Sequence, residues 1–406
     1  MSTALRLSVI VVSHGRPQAL VRCLWGVSHL IGVAVEVVVV ADAPGLAAIA
    51  TLPFAGRIRQ AVQVEPNISV ARNTGIGLAG GDVLAFIDDD AVPEPTWGAQ
   101  LLAALEKTGA DAVTGTVLGR NGISVQWGMQ AVDVVGRDRP LSMPKGPVVP
   151  DLPAGDRLKL NGTNFALRRS VLTRTGGFDP AFFFYMDDTD MARRIERAAF
   201  APGAVVHHGF AASVRRTADR IPLSLADIGA STAAFLRKHA LPAQVDDALE
   251  QMVNDQRARL MRLARRRKLT TDQMRGLMEG LMAGIADGRA RKFGAFPVSG
   301  SDMFQPLCDV PPPDHKVLTG RASQGARLLA EAQGLAAAGH PVSLFLLSFS
   351  PRKHSVEFIA PGIWVQRGGL FGPSVRSDRR LQIWGLAARL AAERARVATV
   401  RGFTSA

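Results

Sequence analysis

Val83-Leu84-Ala85-Phe86-Ile87-Asp88-Asp89-Asp90 is an apolar run that ends in three consecutive carboxylates, with Pro93 and Pro95 just behind it. Val, Ile and Phe bounded by Gly80-Gly81 on one side and prolines on the other predict a short buried strand of an α/β sheet. The acids then fall at its carboxyl end, where ligands bind in open α/β sheets. In an extended chain alternate side chains share a face, which puts Asp88 and Asp90 on one side and Asp89 on the other. Two like charges about 4 Å apart repel by roughly 4 kcal/mol at an effective dielectric near 20, and a cation between them turns that penalty into attraction. The oxygen-preferring ions Mg²⁺ and Mn²⁺ suit one or two carboxylates plus substrate phosphates. A lone Asp triplet also reads as a solvated acidic turn, so the neighbouring residues decide.

Upstream, Leu7-Ser8-Val9-Ile10-Val11-Val12 is a β-branched run, followed by Ser13-His14-Gly15-Arg16-Pro17 and then apolar residues at Leu20, Leu24, Val27 and Ile31. That spacing is one helical face, and Pro17 fits its first turn. Val33 to Val40 is a uniformly apolar second strand ending at Asp42, with Ala43-Pro44-Gly45 expected as a turn. Ile58 to Val64 predicts a third strand. Asn67 or Ser69 can cap the helix that carries Arg72. Strands and helices alternating at this length imply a parallel sheet with right-handed crossovers. A helix from Trp97 to Lys107 and a strand from Ala112 to Val117 follow. Gly119 to Asp156 is then rich in Gly and Pro, as functional loops often are.

The bulk composition bounds the class. A chain of 406 residues with 47% hydrophobic and 20% charged content describes a folded protein of two or three domains. Cys23 and Cys308 have no metal or redox spacing, which fits a reducing compartment. Nowhere do about 18 apolar residues run together, so no transmembrane helix is predicted. Met1 to Arg6 lead straight into a strand-like run, and a cytoplasmic location is expected. The net charge of +13 raises nucleic acid as a partner. Yet the single tyrosine and the lack of aromatics among the arginines argue against a base-stacking platform, and no nucleic acid is expected.

Six pieces now stand in order: Ser8 to Ser13, Val40-Ala41-Asp42, Asn67 to Gly75, the Asp triplet, Gly176-Gly177-Phe178-Asp179, and Asp187-Asp188-Thr189-Asp190 followed by His207. In this order residues 6 to about 212 resemble a family 2 glycosyltransferase with the GT-A fold, an α/β domain on a Rossmann-like, mixed but mostly parallel sheet. The resemblance implies transfer of a sugar from a nucleotide diphosphate donor to an acceptor hydroxyl, with inversion, in polysaccharide or glycolipid assembly. Asp88 and Asp90 occupy the D-x-D positions and would hold Mn²⁺ or Mg²⁺ against the phosphates, Asp90 as the more direct ligand. His207 falls where the family often completes the metal site, and adjacent His208 leaves the register open by one, with His207 ahead. Asp188 corresponds to the catalytic base, its proton affinity raised by neighbouring acids, although acids in a first helical turn also stabilise a helix through its dipole. Ser13, His14, Arg16, Asp42, Arg72, Asp88 and Asp89 are the expected nucleotide-sugar contacts. A UDP-sugar leads, with Asp42 as the uracil or ribose contact, but Asp42 lacks the family's usual second acid, so thymidine and guanosine donors stay open. For the acceptor, a saccharide or a lipid-linked one, the candidates are Trp127, Asn164 and Asp187; an aromatic in a long loop can stack on a sugar face.

The expected boundaries are a catalytic domain over residues 1–222, a helical extension over 223–295, and a small α/β accessory module over 314–406. The helices are predicted at Leu223 to Lys238, Val245 to Arg267 and Thr271 to Ala286. Arg257 to Lys268 carries seven cations among Leu and Met, a pattern able to lie on the anionic inner face of a membrane as a peripheral contact. Pro297 to Pro313 reads as a linker. Beyond it, strands at Lys316 to Gly320, Val342 to Ser348 and Ile363 to Gln366 alternate with helices at Arg321 to Ala338 and Arg379 to Val397. Two other classes compete: a metal-dependent sugar nucleotidyltransferase, for which Ser13-His14-Gly15-Arg16 is a poor phosphate loop, and a basic nucleic-acid-binding protein, which leaves the aspartates unexplained.

Overall fold

The computed structural model describes residues 5–209, 214–217, 219–296, 300–301, 303–309 and 313–404. Strand and helix alternate through β1 (Leu7–Ser13), α1 (Pro17–Ser28), β2 (Val35–Ala41), α2 (Ala43–Ile49), β3 (Ile58–Val62), α3 (Ile68–Leu78) and β4 (Val83–Asp88). The four strands pair in parallel in the order β3-β2-β1-β4. Both faces of β1 are buried. Val9 and Val11 join one apolar cluster while Ile10 joins the other, which is why the strand reads as a continuous apolar run. Ala43-Pro44-Gly45, expected as a turn, instead opens α2: Asp42 caps it, accepting the Gly45 N–H at 3.1 Å, and proline fits a first turn.

The second half of the sheet departs from the simple parallel pattern. After β5 (Ala91–Pro93), α4 (Trp97–Thr108), β6 (Ala112–Leu118) and β7 (Val125–Trp127), the irregular stretch forms a small antiparallel sheet from β8 (Gln130–Val132), β9 (Asp138–Pro140) and β10 (Arg157–Leu158). Then β11 (Phe165–Arg168) inserts antiparallel between β4 and β6, followed by α5 (Arg169–Thr175), α6 (Asp187–Arg193) and β12 (Ala198–His208). The result is a nine-stranded mixed sheet, mostly parallel, in the order β3-β2-β1-β4-β11-β6-β12-β5 with β7 beside β6. β12 shifts register against β6 between Ala201 and Val205.

Three helices follow, α7 (Ala226–His239), α8 (Pro242–Arg265) and α9 (Thr271–Ala290). α7 and α9 cross closely: a Cβ on Gly284 would lie 2.0 Å from the Ala226 carbonyl oxygen, so only glycine permits that approach. α7 also buttresses the loop ahead of α6. Ser231 Oγ donates to the Phe184 carbonyl at 2.8 Å, and Phe235 and Ala234 pack with Phe182 and Met186. Among the described residues no helix is long and apolar enough to cross a membrane.

The stretch expected as a linker is described at 300–301, 303–309 and 313; residues 297–299, 302 and 310–312 lie outside the described residues. Its described part runs back along the first strands. Gln305 N–H donates to buried Glu36 at 3.0 Å, and Leu307 N–H donates to the Val35 carbonyl at 2.7 Å. A four-stranded sheet closes the chain: β13 (Lys316–Arg321), β14 (Val342–Ser348), β15 (Ser355–Ile359) and β16 (Ile363–Gly369), flanked by α10 (Gly325–Ala337) and α11 (Leu386–Arg401), with strand order β13-β14-β16-β15. Sequence alternation passed over β15, a short antiparallel edge strand.

This sheet packs on the β5 edge of the first. Val92 and Ile123 share an apolar cluster with Val356, Phe358 and Trp364. Buried Glu94 accepts from Arg401 at 3.0 and 3.2 Å and from His207 at 2.8 Å. Burial alone would raise the Glu94 carboxyl, but Arg401 and His207 hold it down to about 2. The folded value lies below the ordinary 4.5, so this stabilisation is complete above about pH 4.5 and is lost as pH falls towards 2. Glu94→Gln is expected to cost about 3–5 kcal/mol in denaturant unfolding at pH 7, because Arg401 stays buried without its counter-charge. The gap from wild type should shrink as the pH is lowered through that window. Adding Arg401→Met should recover much of the loss; a single variant within 1 kcal/mol of wild type would remove the ion pair from its bracing role.

Candidate active site

The carboxyl ends of β1 and β4, the α6 turn, the small antiparallel sheet and the segment after β12 enclose a cavity of about 600 Å³. β4 delivers the Asp triplet as alternation requires. Asp88 and Asp90 line the cavity, whereas Asp89 turns behind it, fully buried, where it accepts from Ser13 Oγ at 2.6 Å and pairs with Arg16 at 2.7 Å. Burial raises the Asp89 carboxyl to about 7 against the pull of Arg16. Ser13 and Asp89, both expected to touch the nucleotide sugar, therefore contact each other beneath the site. Together they fix the Arg16 guanidinium, which also reaches Asp90 at 3.3 Å.

His207 also departs from expectation. Its Nε2 bonds Glu94, and its ring lies 4.6 Å from that of Trp364, on the side facing the C-terminal sheet. Burial pushes its pKa down, so the neutral ring donates to Glu94. His208 points the other way, its Nε2 3.3 Å from Asp90 and its ring 5.3 Å from Trp127. Asp88, Asp90 and His208 each offer a ligand atom, all within 4.8 Å of one another. Two carboxylates and one imidazole are a donor set that suits Mn²⁺ or Mg²⁺ with substrate oxygens completing the shell.

Opposite this trio stands the α6 turn. Tyr185 and Met186 both adopt left-handed backbone, with φ of 74° and 66°, which costs about 1–3 kcal/mol per residue and persists only where packing imposes it. Met186, buried against Phe182 and Phe235, supplies that packing. The bend presents Asp187 and Asp188 at the start of α6. Asp188 lines the cavity, accepting from Gly162 N–H at 2.7 Å and from Thr189 Oγ at 3.1 Å. Lys159 stands nearby, bonded to Asp138; burial would lower its pKa, but Asp188 and Asp138 raise it above the ordinary lysine value.

Arg72 joins the two walls. It is buried, its guanidinium 5.3 to 5.8 Å from the rings of Phe178, Phe165 and Phe86. Its fork bonds Asp187 directly, donates to the Gly162 carbonyl at 2.8 Å and lies 3.5 Å from Asp88. Burial raises the Asp187 carboxyl and Arg72 opposes that rise. A Cβ on Gly162 would sit 3.1 Å from Asp188 and 3.3 Å from Arg72, so glycine keeps the backbone between them.

The other expected contacts divide. His14, Arg16 and Trp127 line the cavity. Asp42 caps α2 and accepts Gly15 N–H at 2.7 Å, shaping the loop that carries His14. Asn164, expected at the acceptor, is buried in the sheet, bonded to Trp97 Nε1, the Thr116 carbonyl and the Ala204 carbonyl; it ties β11 to β6 and β12 and cannot meet a ligand. Sequence reasoning passed over Asp138, Lys159, Arg215, Arg216 and Arg220, and it read Arg259 as one of the seven membrane-facing cations, whereas all six residues are in the cavity lining. They come from separated segments without local motif, so no sequence signal groups them.

Residues 8–176 match glycosyl transferase family 2. The chain is 32% identical over 146 residues to the succinoglycan biosynthesis protein ExoM of Rhizobium meliloti (strain 1021), covering 35% of this chain and 44% of that protein. It thus spans less than half the length of this curated relative. Among solved structures it is similar to S. aureus TarS 1-349 in complex with UDP-GlcNAc, with TM-score 0.47 and 15% identity, covering 69% of this chain and 82% of that one. It is also similar to GalNAc-T7 with UDP, GalNAc and Mn²⁺, with TM-score 0.43 and 17% identity, covering 58% and 48%.

Arg72→Met would leave Asp187 buried without a cation, and a loss of about 3–5 kcal/mol in denaturant unfolding at pH 7 is expected. Arg72→Lys keeps the charge but not the planar fork and should recover only part of it. Stability within 1 kcal/mol of wild type in Arg72→Met would show that the pair does not organise the site.

Proposed function

From the match of residues 8–176 to glycosyl transferase family 2, we propose that the protein moves a sugar from a nucleotide diphosphate sugar to an acceptor hydroxyl, with inversion, in the assembly of a polysaccharide or glycolipid. One observation carries the reading: Asp88, Asp90 and His208 face Asp188 across a single cavity, and Arg72 bridges the walls. The two groups that such a transfer needs, one for the leaving diphosphate and one for the incoming hydroxyl, are thereby held apart but in register.

Asp88, Asp90 and His208 would hold Mn²⁺ or Mg²⁺. Bound there, the ion supplies Lewis-acid neutralisation of the leaving diphosphate. Arg16, fixed by Asp89, adds a second positive group on that wall. His14 and Arg16 lie where the nucleoside half of a donor would enter, and a UDP-sugar is the first donor to test. On the opposite wall Asp188 takes the proton of the acceptor hydroxyl as general base, its carboxylate oriented by the Gly162 N–H. Trp127 offers an aromatic face to a sugar ring.

The outer parts of the chain receive a reading too. We assign residues 1–222 to catalysis, 223–295 to a helical buttress and 314–406 to a brace on the β5 edge. The cations Arg257, Arg262, Arg265, Arg266, Arg267 and Lys268 are exposed at the carboxyl end of α8 and just beyond it. They would hold the protein on an anionic leaflet at about 1 kcal/mol each.

Two outcomes test this reading. Transfer from a UDP-sugar should need Mn²⁺ or Mg²⁺ and stop with chelator, and Asp188→Asn should lower it by about 10²–10⁴-fold while donor affinity stays within about threefold; full activity in that variant would exclude Asp188 as base. Sedimentation with vesicles containing phosphatidylserine should pull down the protein at low salt and release it at high salt, and neutral vesicles should not; equal binding to both would exclude an electrostatic contact.

A further inference from the structure

The C-terminal module carries an apolar patch that the proposed reaction does not use. Among the described residues, Ile383 is the most exposed large apolar side chain, at 96%, and Phe349, at 86%, is the most exposed aromatic; Leu381 stands out at 63%. They lie on two loops, one after β14 and one after β16, which the backbone ties together. Leu370 N–H donates to the Ser348 carbonyl at 2.8 Å, and Phe371 N–H to the Ser350 carbonyl at 3.1 Å. Phe349 then meets Phe371 edge to face, the ring centres 4.8 Å apart, and Gln382 N–H donates to the Phe371 carbonyl at 3.0 Å. These links gather Phe349, Leu381 and Ile383 into one neighbourhood.

The second loop is held from within. Gln382 Oε1 accepts from Trp384 Nε1 at 2.9 Å and from buried Arg389 at 3.3 Å. The Gln382 side chain therefore turns inward, and alternation along the chain leaves Leu381 and Ile383 outward. Asp378 accepts Ser374 N–H at 2.8 Å and Val375 N–H at 3.0 Å, which closes the turn ahead of them. Apolar side chains fixed outward on such a frame mark a contact surface.

Charge indicates what meets it. Arg352, Lys353, Arg376, Arg379 and Arg380 stand in the same two loops, all exposed and none of them in an ion pair among the described residues. The one acid of these loops, Asp378, is engaged by backbone N–H groups. Side chains that project almost free of the surface suit a fluid hydrocarbon layer, which yields around them, and the cations beside them suit phosphate-bearing headgroups. We propose that Phe349, Leu381 and Ile383 insert into an anionic membrane surface while the five cations meet its headgroups, anchoring the C-terminal module. This contact adds to that of the α8 cations and stands apart from the chemistry of the cavity.

The test uses the full chain. Cys308→Ser with Ile383→Cys leaves position 383 as the exposed thiol, because Cys23 is buried, and an environment-sensitive fluorophore is attached there. Phosphatidylcholine vesicles containing phosphatidylserine should shift its emission to the blue, and phosphatidylcholine alone should not. In the unlabelled chain, Phe349→Ser with Leu381→Ser should weaken binding to the anionic vesicles about tenfold or more, and Arg379→Gln with Arg380→Gln about tenfold, with thermal unfolding unchanged because all four positions are exposed. Neutralising the end of α8 with Arg265→Gln, Arg266→Gln and Arg267→Gln should leave the blue shift in place at a higher lipid concentration. Vesicle binding without a blue shift would assign the membrane contact to α8 and overturn the proposal, as would wild-type affinity in the Phe349→Ser, Leu381→Ser chain. No vesicle binding at all would overturn it together with the α8 contact. A blue shift that needs no lipid and rises with protein concentration would overturn it too, handing the patch to a second copy of the chain.

Discussion

A single guanidinium holds the two halves of this site together. Arg72 is enclosed by three phenylalanines, bonded to Asp187 and 3.5 Å from Asp88. Water is largely excluded, so the charges interact at low effective dielectric, and moving either wall would strand a buried charge. The separation between the Asp88, Asp90 and His208 trio and the α6 turn is therefore set by a rigid planar group. Asn73, beside it on α3, extends the same tie through bonds with Phe178 at 2.7 and 2.8 Å.

Around that tie the rest of the chain acts as scaffolding. α7 presses on the bend at Tyr185-Met186, which two left-handed residues make costly to form alone. The C-terminal sheet grips the other side, where Trp364 lies against His207 and Arg401 holds the Glu94 that His207 bonds. Since neighbours on a strand face opposite ways, engaging His207 there is what turns His208 towards Asp90. The brace and the site thus share one strand.

Much of the architecture was legible because its causes are local. The apolar runs of β1, β2 and β4 announce strands buried on both faces, and alternation past Ile87 separates Asp89 from its neighbours. The histidine register was not legible. It depends on the irregular pairing of β12 with β6 between Ala201 and Val205, and a sequence periodicity cannot register such a shift. Asn164 misled for a different reason: its amide fills the hydrogen-bonding needs of two carbonyls and a buried tryptophan, partners that lie 40 to 67 positions away in the chain. Ala43-Pro44-Gly45 carries turn residues that are equally good helix starters once Asp42 caps them. The approach of Arg259 to the segment carrying Arg215, Arg216 and Arg220 was not legible, because α8 meets that segment only in three dimensions.

The pairing of Glu94 with Arg401 spans 307 positions of the chain. A ribosome adding roughly 5–20 residues per second needs about 15–60 s to travel that far. From the completion of β12 until Arg401 follows, the first sheet has its edge acid without that counter-ion and Val92 without Val356, Phe358 and Trp364. The nascent sheet therefore waits, with this edge open, for α11 to emerge, and in that window the edge is exposed to aggregation and to chaperone capture.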